Sequence, residues 1–194
     1  KIYKELMDSG VVKLTTSWGE MAAALNNGDV ATITSGCWIV PTITAQEDQS
    51  GLWRVTRMPR LDVEGGTNYG NRGGSNWLVL KDSENAEIAA DFLNEIFAND
   101  VEFYETILTD IGAIGAYIPA QSSDAYNKPV EYFGNEAIWA DFAEWAKSVP
   151  PINVGVYSDE ADSVLISNMP TVLDGSVKIP DMLKTAEELL KSQI

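Results

Sequence analysis

Histidine is absent from the 194 residues, and cysteine occurs once, as Cys37. Without histidine there is no Ser-His-Asp arrangement and no imidazole to serve as general acid or base. A single thiol allows no disulfide within the chain, and Cys/His zinc sites fall with the same count. Cys37 is therefore expected as a small buried residue rather than a nucleophile. Basic residues are also scarce: 13 Lys and Arg against 29 Asp and Glu give a net charge of −16. That field repels phosphate backbones and anionic lipid heads, so nucleic acid and membrane surfaces are poor partners, whereas a neutral solute is compatible with it. No apolar run reaches the roughly 18 residues of a membrane span. No signal peptide is present; the chain opens within a predicted helix, Lys1 to Ser9, and is expected to begin part-way through a longer protein.

What is present is ordinary globular composition, 45% hydrophobic and 22% charged, with six Trp, seven Tyr and five Phe. Most of these rings are expected in the core. Trp and Tyr also combine an apolar face with a polar tip, which suits carbohydrate, whose rings show C–H faces and hydroxyl edges. The central stretch is Gly28-Asp29-Val30-Ala31-Thr32-Ile33-Thr34-Ser35-Gly36-Cys37-Trp38. Gly28 reads as a helix stop, Val30 to Thr34 as a short buried strand, and Gly36 as a turn into a helix of about ten residues through Gln46. Pro41 is tolerable only in the first turn of that helix. Trp38 then stands at the carboxyl edge of a sheet, where open α/β sheets place ligands. A Trp at a helix start is more often a core or staple residue than a ligand platform, and that reading stands beside this one.

Around this stretch, Ser17-Trp18-Gly19-Glu20 is a capping box before a helix with Met21, Ala24 and Leu25 on its apolar face. Residues 51–59 alternate as an extended strand ending at Pro59. From Leu61 to Asn76 five glycines rule out a helix or a stable strand; a linker and a ligand-approaching loop both fit, and the density of Asn, Tyr and Arg favours the loop. It is not a P-loop, since no Gly-Lys-Ser/Thr follows. Trp77 to Leu80 is the next predicted strand. Ser83 is expected to cap one helix, Asp100 to start another ending at Gly112, and Asn135 to open a third with Ile138, Trp139, Phe142 and Trp145 packed inward. Pro150-Pro151 breaks the chain, and Ile152 to Tyr157 reads as extended. Asp159 begins a helix to Leu173 with Gly175 as its stop, and Pro180 opens a last helix with Leu183, Ala186, Leu189 and Leu190 on one side. The mixture argues α/β.

Four places resemble the extracellular solute-binding proteins, family 1, the maltose-binding-protein-like subunits of carbohydrate ABC importers. They are Gly28 to Trp38; Trp53-Arg54-Val55 through Met58-Pro59; Gly73-Gly74-Ser75-Asn76-Trp77; and the closing helix pair around Asp174-Gly175. The resemblance covers essentially the whole chain as the carboxyl-terminal half of such a protein. It implies a periplasmic-binding-protein-like (type II) second lobe, helices packed around a mixed β-sheet, with the first lobe missing. Residues 1–82 and about 126–194 would form that lobe, and helices from about 83 to 125 would lean toward the missing one. It implies a non-enzymatic subunit that holds a sugar or oligosaccharide between two lobes and delivers it to the transmembrane subunits of an ABC permease. Such a subunit needs no cofactor or metal. It would be extracellular or periplasmic, anchored as a lipoprotein where on the cell surface, and monomeric at full length.

Carried over position by position, Trp38 matches the stacking aromatic, and Gly73, Gly74, Ser75 and Asn76 match a loop donating hydrogen bonds into the cleft. Tyr157, Asp159 and Asp162 fall where relatives place an aromatic and a polar pair at a helix start; Arg72 and Arg57 are weaker matches. Each has a plainer reading: Tyr157 as core, Asp159 as a cap, Asp162 as an acid in a helix first turn, the arginines as partners of carboxylates. A glycoside hydrolase would need two acids about 5–5.5 Å or about 6.5–9.5 Å apart. Asp159 and Asp162 are spaced for such a distance, but nothing in the sequence keeps one of them protonated. Ser158 to Ser163 lacks the spacing and glycine of a calcium loop. A peptide or other non-carbohydrate solute on the same architecture stays open.

Overall fold

The computed structural model describes residues 2–71, 73–151 and 154–193. In chain order its helices are α1 (Ile2–Asp8), α2 (Trp18–Asn26), α3 (Val40–Thr44), α4 (Ala86–Asn99), α5 (Val101–Ile111), α6 (Asp124–Asn127), α7 (Ile138–Ala146), α8 (Ser158–Leu173) and α9 (Ile179–Gln193). They fall into two compact units, residues 17–150 and residues 1–16 with 151–194. The chain passes between units beside Ser17 and at Pro150-Pro151, the break that the sequence marks.

Local chemistry explains the helix ends in the larger unit. Ser17 has extended dihedrals and its hydroxyl accepts from the Glu20 amide at 3.2 Å, the predicted N-cap of α2. Asp100 accepts from the Phe103 amide at 2.9 Å and so starts α5. Gly112 ends α5 in the left-handed region, φ 67, where a side chain would be strained. Three predicted starts move. Ser83 does not cap α4; its hydroxyl accepts from the Asn85 amide, and the helix begins at Ala86. Asn135 does not open α7; at φ 62 it sits in the turn that the Val130–Glu136 bridge closes. The helix expected from Trp38 to Gln46 is split into a 3-10 turn, Cys37–Ile39, and α3. Pro41 has no N–H to reach the Cys37 carbonyl, which instead accepts from Val40, a tighter bond.

The core of this unit gathers Leu25, Ile39, Val40, Ile43, Leu108, Tyr126, Phe133, Ile138 and Trp139 from α2, α3, α5, α6, α7 and the turns between them. Leu108 and Ile138 are fully buried, each worth about 1.5–3 kcal/mol relative to exposure. Trp139 packs as predicted, at 6% exposure. Gln49 ties the region together: its Nε2 donates to the carbonyls of Leu25 (3.1 Å) and Asn26 (2.9 Å), and its Oε1 accepts from Trp53 Nε1 at 2.7 Å. At the end of α2 the Asn26 carbonyl is satisfied this way, while the Leu25 carbonyl also accepts from the Gly28 amide at 3.1 Å.

The expected mixed sheet is not seen among the described residues, whose only strand-type pairing is the antiparallel Val130–Glu136 bridge. The extended segments are nevertheless placed as strands would be. Trp53 and Val55 pack on the core while Leu52, Arg54 and Thr56 face out, and Val30 and Ile33 pack on the same core. Alternation is a local property, but a strand needs a hydrogen-bonded neighbour. Residues 77–80 are mostly uncovered, with Leu78 88% and Leu80 80% exposed.

In the smaller unit α8 and α9 share a core of Val164, Val172, Met182 and Ala186, to which Val177 and Ile179 add. The expected α9 face is corrected: Met182 and Ala186 are buried, four residues apart, whereas Leu183 and Leu189 are exposed. Gly175 turns the chain as predicted, at φ 80. Lys4 of α1 donates to the Leu173 carbonyl at 2.9 Å. Of the expected extended run 152–157, Ile152 and Asn153 lie outside the described residues; Gly155 to Ser158 forms a turn into α8.

Candidate functional site

Trp38 stands in the 3-10 turn between an extended segment and α3, half-buried against the core. Two glycines shape its surroundings. A Cβ on Gly36 would lie 2.8 Å from Cδ1 and 3.2 Å from Cε2 of the indole, so the backbone there is the seat of the ring. A Cβ on Gly112 would lie 2.9 Å from the Cys37 carbonyl oxygen and 3.3 Å from Cη2 of Trp139. The end of α5 therefore abuts the turn directly, which fixes the turn to the core. Between these contacts, burial pushes the Cys37 thiol above its usual value, partly offset by hydrogen bonds from the backbone at Ile114, Cys37 and Trp38. A thiol held protonated is a poor nucleophile, in keeping with a packing role.

The outer neighbour of Trp38 is Trp18, at the first position of α2. Their ring centroids are 5.6 Å apart with planes inclined at 36°, and Trp18 is 52% exposed. The sequence reading treats position 18 only as part of a capping box. Its spacing to Met21 and Leu25 continues the apolar face of α2, so periodicity alone would have hidden it in the core.

Gly73, Gly74, Ser75 and Asn76 form exposed coil in the same unit. Both glycines have positive φ, and Asn71 Nδ2 donates to the Gly73 carbonyl at 3.1 Å. Arg72 lies outside the described residues. Just upstream the chain folds on itself: Asn68 Nδ2 donates to the Met58 carbonyl at 2.8 Å, and Arg57 donates to the Tyr69 hydroxyl at 3.0 Å. Residues 58–70 enclose a concavity of about 350 Å³. Neither Trp38 nor residues 73–76 line it. Tyr157, Asp159 and Asp162 belong to the smaller unit, where all three are exposed. Tyr157 is the residue before α8 and is 46% exposed, so it is not core. Asp159 is not the cap; it lies in the first turn with Glu160, where the helix dipole favours acids. Asp162 is three residues on, on the same side of the helix as Asp159.

The sequence pattern of the family described as bacterial extracellular solute-binding protein matches residues 1–134. The chain belongs to this family. Membership implies the periplasmic-binding-protein-like fold. Over 189 residues the chain is 39% identical to the lactose-binding protein of Rhizobium radiobacter, covering 97% of this chain and 44% of that protein. The chain thus spans less than half the length of the curated relative it matches. No solved structure matches it. The family match contains the Gly28–Trp38 segment and the 73–76 loop, while Tyr157, Asp159 and Asp162 lie beyond it. No helix among the described residues is long and apolar enough to cross a membrane.

Proposed function

We propose that the full-length protein is the substrate-binding subunit of an ABC importer, capturing a sugar or oligosaccharide in a cleft between its lobes and handing it to the permease. The observation that carries the reading is the half-buried Trp38 indole, seated on Gly36 and backed by the core. A ring so placed offers an apolar surface at fixed height, and a pyranose has a matching C–H face. The name of the 39% identical relative supports a sugar, with lactose the first candidate. Gly73, Gly74, Ser75, Asn76 and Arg72 supply amide and side-chain hydrogen bonds to hydroxyls, as do Tyr157, Asp159 and Asp162. Neutral and anionic hydrogen-bond partners of these kinds hold a sugar without any bond being broken.

The subunit works outside the membrane of a bacterial cell, periplasmic or tethered to the surface, and binds as a monomer. Residues 1–82 and about 126–194 belong to the second lobe, and helices from about 83 to 125 lean toward the first. An apolar groove of about 300 Å³ between residues 78–80 and α4 supports that placement. So does the exposure of Ile88 and Phe92 on α4, since apolar surface of this kind marks an interaction face. Closure of the lobes about a hinge would bury the ligand and present a new surface to the permease.

Isothermal titration of the full-length protein against lactose, other mono- and oligosaccharides and short peptides tests the reading. Micromolar binding to saccharide, with no release of reducing ends, is the expected result. Binding to peptide alone, or turnover of any saccharide, overturns it.

A further inference from the structure

We propose that Trp77 is a positioning residue for the loop of Gly73, Gly74, Ser75 and Asn76: its ring, packed on Phe97 of α4, holds the loop ready to bind sugar. This rests on the sugar-binding reading of that loop. Two contacts bracket the loop. Upstream, Asn71 Nδ2 donates to the Gly73 carbonyl at 3.1 Å. Downstream, Asn76 is joined directly to Trp77, whose ring centroid lies 5.4 Å from that of Phe97 with planes inclined at 37°. Trp77 is 66% exposed and so is not a core residue; what its ring does is meet Phe97.

Phe97 is a firm support. Its ring meets that of Phe103 edge-on, with 5.2 Å between centroids and 83° between planes. Its carbonyl accepts from the Tyr104 hydroxyl at 2.8 Å. Tyr104 is itself buried and stacks on Tyr117 at 5.8 Å. Residue 97 is therefore tied to α5 through both its ring and its backbone. The chain between Trp77 and α4 is held as well: the Ser83 amide donates to the Leu80 carbonyl and the Ala86 amide to the Ser83 carbonyl, each at 3.1 Å.

The gain is preorganisation. Gly73 and Gly74 both have positive φ, and glycine loses more conformational freedom on ordering than any other residue. A loop that must be ordered each time a ligand binds loses affinity, whereas one held beforehand does not. Because the effect runs through the backbone shared with Asn76, Phe97 matters as much as Trp77, although it lies outside the loop.

The test titrates the full-length protein with lactose in Trp77→Ala, Phe97→Ala, the double variant and Trp77→Phe, with Phe97→Leu replacing Phe97→Ala should the latter not fold. Each alanine variant should bind about three- to tenfold more weakly, the worth of one aromatic pair. The double variant should bind no more weakly than the poorer single one, since both remove the same contact. Trp77→Phe, which keeps a ring on Phe97, should recover most of the affinity. In the ligand-free protein, backbone order parameters at residues 73–76 should fall in both alanine variants toward the flexible range below about 0.6. A merely structural role would lower the urea midpoint and leave the affinity of the folded protein unchanged, which overturns the inference. So do a loss in Trp77→Ala alone, which means that the indole touches the sugar itself, losses that multiply in the double variant, and unaltered order parameters; each leaves the sugar reading standing while the wild type binds lactose. If the wild type binds no saccharide, the sugar reading fails first and takes this inference with it.

Discussion

Replacing Gly36 by alanine asks whether the turn really seats the Trp38 ring. Gly36 has φ −84 and ψ 171, extended backbone that alanine adopts without strain. The new methyl would instead fall 2.8 Å from Cδ1 and 3.2 Å from Cε2 of the indole, inside the contact distance of about 3.5–4.0 Å. The ring must shift by several tenths of an ångström or leave its rotamer, and an off-rotamer side chain costs about 0.5–1.5 kcal/mol. Overpacking of a closed core costs about 1–3 kcal/mol; because Trp38 is only half-buried, the ring has a way out and the lower end applies. Gly19→Ala is the internal control. It lies within α2, where a Cβ would meet nothing within 4 Å, and alanine should stabilise the helix by about 0.5–1 kcal/mol. The same added methyl should therefore move the urea midpoint in opposite directions at positions 36 and 19. Only Gly36→Ala should change the indole fluorescence, and in the full-length protein it should weaken sugar binding by up to about tenfold. Wild-type midpoint, fluorescence and affinity in Gly36→Ala would refute the argument that Gly36 holds the ring.

Gln49→Leu keeps the volume but strands the Asn26 carbonyl and the Trp53 Nε1 and leaves the Leu25 carbonyl with the Gly28 amide alone; we expect a loss of about 1–3 kcal/mol, read as a lower urea midpoint, and an unchanged midpoint would remove Gln49 from the account of how α2 ends. Burial raises the phenols of Tyr104, Tyr126 and Tyr132 above their ordinary value near 10. Around that pH the unfolded chain loses protons that the folded chain keeps, so stability is intact below about pH 10 and falls as pH rises toward the folded values. Tyr126→Phe should flatten this alkaline slope, although it also removes the acceptor of the Gly115 amide; an unaltered slope in pH-dependent urea unfolding would exclude Tyr126 as a contributor.

Features set by neighbouring residues were legible in the sequence. Ser17 and Asp100 cap helices because each needs only an amide three residues ahead, and Gly112 and Gly175 stop them because each needs only its own φ. Ser83 and Asn135 carry the same kind of signal and were misplaced. Their polar side chains suit turns as well as caps, and the turn won in both places. On α9 the leucines carried the hydrophobic signal, but Met182 and Ala186 face α8, so tertiary packing overrode composition. The sheet could not be judged locally. Alternation at Trp53 and Val55 was readable and is realised as burial, yet strand pairing depends on residues far away in sequence. The matched relative is more than twice as long as this chain, so a strand's neighbour need not lie within these residues. Trp18 was missed for the converse reason: its spacing was that of a core residue, and only its exposure and its contact with Trp38 distinguish it.

Three tryptophans in one unit show how burial separates packing from recognition. Trp139, 6% exposed, shares a cluster with Phe142 and abuts the end of α5; its surface is already spent on protein contacts. Trp18, 52% exposed, is presented to water and touches the Trp38 ring. Trp38 lies between them, with one side on the core and Gly36 beneath its edge. A fully buried ring meets no ligand, and a fully exposed ring must lose rotamer freedom each time it binds one. The intermediate position avoids both penalties, because folding has already fixed the ring while part of its surface still faces outward. That ordering runs from the core through Gly112 and Cys37 to Trp38, and it is the physical basis for placing the proposed sugar contact at Trp38 rather than at Trp139.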